Sequence, residues 1–379
     1  MHFAFTEEQE ELRRNARRFL ETASSTAGVR AAMATASGYD ENVWNRLGQE
    51  LGFTSLAIPE AYGGAGLGFV ELSAVMEEMG RALLCSPFFA TVCLAANAVL
   101  VGGTEEQKAE LLPAIASGRT TAAAALLPPS GRWDAVGSGV VYVPRGSGYE
   151  LTGTSSFVID GHTARWLVVA ARPAAEVAGR GPSLFLVSAD TPGLRRRPLP
   201  TMDMTRKQAE LKLHEVELPS SALLGAADSG ESTLARVLDL AKVALAAEQV
   251  GGAEHCLDMS VEYAKTRVQF GRPIGSFQAI KHKLADMFVL VESARSASYY
   301  AAWTAAHSDE ELPAAAALAK AYCSEAYFKV AAECIQIHGG VGFTWEHDAH
   351  LFFKRAKSSE ILFGDAAYHR AVVARQMGL

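Results

Sequence analysis

A block of β-rich sequence interrupts a chain whose periodicity is otherwise helical, and this ordering limits the folds open to it. The signal changes from about Thr121, and "SGVVYVPRGSGYELTGTSSFVIDG" shows short runs rich in Val, Tyr, Phe and Thr separated by glycine-containing turns. "WLVVAA", "SLFLVSA" and "AELKLHEVEL" continue the pattern. In the last, Ala209, Leu211 and Leu213 alternate before Val216 and Leu218 change phase, which predicts a β-bulge. Before this block, Thr6 and Gln9 form a capping box, and Leu12, Ala16, Phe19 and Leu20 share one helical face. "IPEAYGGAGLG" at 58–68 breaks the helical pattern, which resumes at Val70. "GGTEEQKAELLPAIASG" then reads as a short capped helix between glycine stops. After "LLGAADSG" the Ala/Leu-rich segments 232–266, 276–307 and 313–338 are helical, with "SDEELP" as a turn.

At 379 residues the chain is long for one core, so this order reads as three domains. They are an N-terminal α-helical domain (1–120), a middle β-domain (121–226) and a C-terminal α-helical domain (227–379), an α+β chain. A composition of 49% hydrophobic and 20% charged residues is that of a globular protein. The net charge of −7 and the lack of a Lys/Arg block argue against nucleic acid and anionic membrane as partners. "ATVCLAANAVLV" is too short to span a bilayer. Cys85, Cys93, Cys256, Cys323 and Cys334 contain no CxxC pair and read as reduced, buried thiols. With no secretory h-region in "MHFAFTEEQEEL", they place the chain in the cytoplasm.

Two segments point to a ligand. In "RVQFGRPIGSFQAIKHKLADM" (267–287) a loop enters a helix. Arg267 offers a charged planar fork to a pyrophosphate, and Gln278 can read an adenine or ribose edge. Ordinary helix-to-helix packing accounts for that loop equally well on pattern alone. In "QIHGGVGFTWEHDAH" (336–350), Gln336 precedes Gly339-Gly340, where a missing Cβ lets a ligand come close to the backbone. His282, His338, His347 and His350 form no metal-ligand pattern, so no metal is expected.

Together these segments resemble the acyl-CoA dehydrogenase family of flavoenzymes. "IPEAYGGAGLG", "TEEQKAELLPAIASG" and "LTGTSSFVIDGHTA" stand in that family's order and spacing, so the resemblance spans the chain. It implies the family's fold, with a C-terminal four-helix bundle, FAD as cofactor and an acyl-CoA substrate. Residues matching Arg267, Phe270, Gln278, Gln336, Gly339 and Gly340 hold the ADP half of a neighbouring subunit's FAD in the family, and all six are present here. The flavin side departs from the pattern. "ALLPPSGRWD" (125–134) puts Leu127 and Trp133 where the family has Thr and Ser. Phe157 keeps an aromatic for the ring, but Ile159 has no hydroxyl for flavin N5.

The family's proton-abstracting glutamate stands just before a Gly-Thr pair, and here that position is Phe363, followed by Gly364-Asp365. A minority places the glutamate 26 residues before the loop arginine, which is Ala241 here. Its neighbours Asp239 and Lys242 resemble a family pair that contacts the CoA moiety. Glu360, Asp365 and Glu248 remain as substitute bases, with helix capping and ion pairing as their structural alternatives.

The leading expectation is a non-catalytic subunit that supplies ADP-side contacts. Its assembly would be an α2β2 heterotetramer with a paralogue, as in acyl-CoA dehydrogenases of steroid-degrading bacteria. A self-sufficient homotetramer with a displaced base, a flavin monooxygenase on the same fold, and a scaffold without redox chemistry are the alternatives.

Overall fold

The computed structural model describes residues 5–133, 136–137, 139–175 and 181–379. The helical lead-in comprises α1 (Glu7–Ala23), α2 (Thr26–Ala34), α3 (Glu41–Asn45), α4 (Phe69–Arg81), α5 (Asn97–Gly102) and α6 (Glu105–Ala116), with a buried π-helical stretch at Phe89–Ala96. The strands are β1 (Ala122–Ala125), β2 (Val140–Arg145), β3 (Gly148–Ile159), β4 (Trp166–Pro173), β5 (Ser183–Ser188), β6 (Leu194–Leu199), β7 (Gln208–Pro219) and β8 (Leu223–Leu224). The long helices α7 (Gly230–Thr266), α8 (Gln278–His307) and α9 (Leu312–His338) follow, then α10 (Ala349–Ile361) and α11 (Ala366–Gln376). A two-stranded ladder, β9 (Val268–Gln269) with β10 (Arg272–Pro273), lies between α7 and α8. Among the described residues no helix is long and apolar enough to cross a membrane.

The chain packs as two compact units. One contains Met1–Ala31, Gly68–Leu84 and Lys242–Leu379; the other contains Ala32–Leu67 and Cys85–Ala241.

The second unit is built on an eight-stranded sheet in the order β6-β7-β3-β2-β4-β5-β8, with β1 parallel to β4 at its side. Inward residues such as Leu151, Phe185, Leu211 and Val216 have no exposed surface. The predicted bulge is present. Leu151 pairs with Val216 but Gly153 with Leu213, so β7 carries one extra residue there, and Glu215 takes a left-handed φ of 49°. Edge strand β6 reads "LRRRPL"; its arginines and Pro198 discourage further strand pairing. On the helical side of this unit, Trp44 Nε1 donates to the Gly118 carbonyl (2.8 Å) and Thr54 Oγ1 to that of Ala116 (2.8 Å), tying the α3 region to the end of α6.

In the first unit α1 starts at the predicted capping box, with Gln9 N donating to Thr6 Oγ1 (3.3 Å) and Thr6 N to Gln9 Oε1 (2.9 Å). It docks on α4 through Arg17, whose Nε and Nη2 each donate to the Glu78 carboxylate at 2.8 Å. Glu77 is fully buried beside Arg295. Burial pushes its carboxyl up to about 7, against the pull of that arginine.

Helices α4 and α7 cross at backbone contact. A Cβ on Gly251 would lie 1.7 Å from the Glu77 carbonyl oxygen, and one on Gly80 would lie 1.9 Å from that of Glu248. Gly251→Ala must therefore push the helices apart, with an expected loss of about 1–3 kcal/mol. The urea midpoint with an unchanged m-value reads this out. All five cysteines are buried, and none is joined in a disulfide.

Candidate functional site

The expected ADP-side residues gather at one end of the first unit. The Tyr263 ring, one turn before Arg267, lies 4.4 Å from that of His338, which directly precedes Gly339. Lys283 on α8 pairs with Glu333 on α9, so Gln278 at the start of α8 and Gln336 at the end of α9 belong to this same end. Between α7 and α8 the chain reverses at Phe270-Gly271, both left-handed (φ 54° and 76°), as a two-residue β-turn requires. That geometry throws the Phe270 ring outward, 91% exposed. Arg267, Gln278 and Gln336 are exposed, and none has a side-chain partner among the described residues. A Cβ on Gly340 would meet nothing within 4 Å. None of the described residues requires glycine at 340, which leaves room for a ligand or second chain to approach.

The expected flavin-side positions lie in the second unit and are closed differently. Leu127 is buried, and its carbonyl accepts from Ser155 Oγ (2.9 Å) and Ser156 N (3.0 Å). Ile159 is buried in β3. Ser155 pairs with Leu211 and Val158 with Ala209, which places a second bulge on β3 at Ser156-Phe157. The bulge turns Phe157 left-handed (φ 59°) and leaves its ring 40% exposed, against Gly131. Asp134, the end of the "ALLPPSGRWD" segment, lies outside the described residues.

At the position expected to carry the base, the side chain is a phenyl ring. Phe363 is 4% exposed and left-handed (φ 62°), a conformation that costs a bulky residue about 1–3 kcal/mol. Ala241 is fully buried, and Asp239 and Lys242 are nearly so. The three substitute carboxylates are already engaged. Lys357 Nζ reaches Glu360 Oε2 at 2.8 Å, Arg355 Nη1 reaches Glu248 Oε1 at 2.9 Å, and Asp365 caps α11 by accepting from Tyr368 N at 2.8 Å. A cavity of about 380 Å³ in the first unit, between α1, α2, α4, α7 and α10, is lined by none of the expected site residues. Among the described residues no group of three or more His, Cys, Asp or Glu could hold a metal.

Two residues that the sequence did not single out bear on this position. His369 Nε2 donates to the Phe363 carbonyl (2.9 Å), and Lys320 Nζ donates to the carbonyls of Glu360 (2.9 Å) and Gly364 (3.0 Å). A lone lysine in "AAAALAKAYCSEA" was the available signal for Lys320.

Burial, reinforced by Lys242 and Lys320, pushes His369 down to about 3. The unfolded chain takes up a proton at 369 below pH ~6.5 that the folded chain refuses until about 3. This contribution to stability is therefore complete above that unfolded value and is lost as pH falls through the window. His369→Phe is expected to shrink the drop in urea midpoint between pH 7 and pH 5. Part of the drop stays with His255, which burial holds at about 4.

Comparison with known proteins agrees with the fold. Residues 6–119 match the family model "Acyl-CoA dehydrogenase, N-terminal domain" and 228–378 match "Acyl-CoA dehydrogenase, C-terminal domain". The acyl-CoA dehydrogenase IpdE2 of Mycolicibacterium smegmatis is 37% identical over 359 residues, covering 95% of each chain. Among solved structures, the steroid acyl-CoA dehydrogenase Tcur3481-Tcur3483 superposes with a TM-score of 0.87 at 32% identity, covering 98% of each chain. The ChsE4-ChsE5 complex from Mycobacterium tuberculosis superposes at 0.90 with 29% identity, covering 100% of this chain and 99% of that one. The chain belongs to the acyl-CoA dehydrogenase family, FAD-dependent oxidoreductases acting on CH–CH groups.

Proposed function

We propose that this chain is the subunit of an α2β2 acyl-CoA dehydrogenase that carries no base of its own and completes its paralogue's FAD site from the ADP side. The observation that carries the reading is Phe363 at the base position while Glu360, Glu248 and Asp365 are all engaged elsewhere. Removing an α-proton from a thioester needs a carboxylate free to accept it, and none of these residues offers one.

The residues present fit one half of FAD better than the other. Arg267, Gln278 and Gln336 are exposed with unspent hydrogen-bonding groups, and the backbone at Gly340 can be approached. Arg267 suits the pyrophosphate, as a bidentate charge-assisted donor. Gln278 and Gln336 suit the adenosine edges, and Gly339 and Gly340 allow close backbone approach. Phe270 supplies an exposed ring to the same surface. On the flavin side only Phe157 keeps its family role, since Leu127 and Ile159 turn apolar side chains into the core. Bound FAD supplies the hydride acceptor; the α-proton goes to a base on the paralogue. Asp239 and Lys242 are assigned to the CoA moiety, as their match to the family's pair implies.

Support for a paired assembly also comes from two of the relatives, whose names each join two gene products. The substrate class is an acyl-CoA thioester, and the steroid relative favours a bulky ring-bearing acyl group. Co-expression with a paralogue should yield a stoichiometric complex that bleaches its flavin on adding acyl-CoA. In that complex Glu360→Gln is expected to leave kcat within about twofold, because its carboxylate serves a part-buried i,i+3 ion pair with Lys357 and not the chemistry. A hundredfold loss on that substitution would make Glu360 the base and the chain self-sufficient.

A further inference from the structure

Phe363 is held in its left-handed turn from beneath. Lys320 lies on α9 with no exposed surface, and its ammonium spends all three protons. They go to Ser324 Oγ (2.9 Å), the Glu360 carbonyl (2.9 Å) and the Gly364 carbonyl (3.0 Å). One of these carbonyls belongs to the last turn of α10, where a cation meets the negative end of the helix dipole. The other follows Phe363 directly. His369 takes the carbonyl of Phe363 itself. Two buried side chains on two different helices thus claim three carbonyls of one five-residue segment. That degree of constraint is what a bulky residue at φ 62° needs to persist.

We infer that Lys320 is a positioning residue: through the carbonyls of Glu360 and Gly364 it fixes the turn that carries residue 363, independently of which side chain stands there. The assignment of 363 as the family's base position rests on the reading above; the clamp itself rests on the hydrogen bonds alone. It also tolerates loss of a proton. Burial lowers Lys320 to about 7, with Lys242 pushing the same way and Glu360, Cys323 and Asp365 pulling back. A neutral amine keeps two N–H groups for the two carbonyls. The Ser324 hydroxyl, already in contact with Gln249 Nε2 (3.0 Å), can then turn its proton to the amine lone pair.

The test places 4-fluorophenylalanine at 363 in the full chain and follows 19F resonance and backbone hydrogen exchange. The unsubstituted clamp should give one narrow resonance that shifts with a midpoint near pH 7 without broadening. Lys320→Met should broaden or split it and raise exchange at 361–366 by about tenfold or more, since two charge-assisted bonds are lost. Exchange elsewhere on α9 should stay as it was. A single sharp resonance with exchange within twofold of the parent overturns the inference. If Lys320→Met fails to fold, Lys320→Arg decides. It should keep the single resonance and lose the pH midpoint, and a midpoint that persists with arginine at 320 overturns the assignment. Neither readout uses turnover, so failure of the subunit reading leaves this test intact.

Discussion

Arg267→Met should cost the assembled complex about tenfold to a hundredfold in FAD affinity, the range for one charge-assisted hydrogen-bonded contact. The same substitution should leave the unfolding midpoint of the chain unchanged. The two expectations share one cause. Arg267 is exposed and has no side-chain partner among the described residues, so folding gains nothing from its charge. A ligand brought by a second subunit would gain all of it. Gly340→Val makes the complementary case. A Cβ at 340 meets nothing within 4 Å among the described residues, so folding should be spared, while close approach to the backbone is blocked. Flavin absorbance of the purified complex gives the affinity loss, and thermal unfolding of the lone chain gives the stability. A fall in stability that matched the loss of FAD would mean that Arg267 works inside its own subunit.

The second large effect concerns Glu248. Arg355→Met should destabilise the chain by about 3–5 kcal/mol, the usual penalty for stripping one partner from a buried ion pair. The pair is 2.9 Å long, and its side chains are 4% and 6% exposed. Once the guanidinium is gone, the carboxylate either stays charged in an apolar setting or takes up a proton, and both cost free energy. Glu248→Gln keeps a hydrogen-bond acceptor for Arg355 and should cost less. Urea unfolding of both variants gives the comparison. The outcome bears on function as well as stability. A carboxylate committed to holding α10 against α7 cannot also serve as a base poised near neutrality.

Much of the fold could be read from local sequence, because capping, periodicity and strand phase are local quantities. The Thr6 box opened α1, and the phase change after Leu213 marked a true bulge. The three long helical segments closed within a few residues of their observed ends. The pairing of elements across the chain was not legible. Periodicity cannot say that Met1–Ala31 and Gly68–Leu84 pack with Lys242–Leu379. Nor can it show that Glu248 meets an arginine 107 residues away. For the site, the resemblance suggested positions but not conformations. Phe157, Phe270 and Phe363 are all left-handed, although phenylalanine gives no such cue as Gly or Asn would. Three of the expected site positions thus fall on strained backbone, in keeping with the tendency of strain to gather where ligands are held. Lys320 escaped notice because a single lysine among alanines looks like a solvated helix face. Only the fold shows that face to be buried.

The central claim is that this chain completes a flavin site without owning one. Bound FAD per chain and acyl-CoA-dependent flavin bleaching, measured on the lone chain and on the chain co-purified with its paralogue, test it most directly. The account predicts little flavin and no bleaching for the lone chain, and both for the pair. A lone chain that purifies with one FAD per subunit and bleaches on adding acyl-CoA would contradict it.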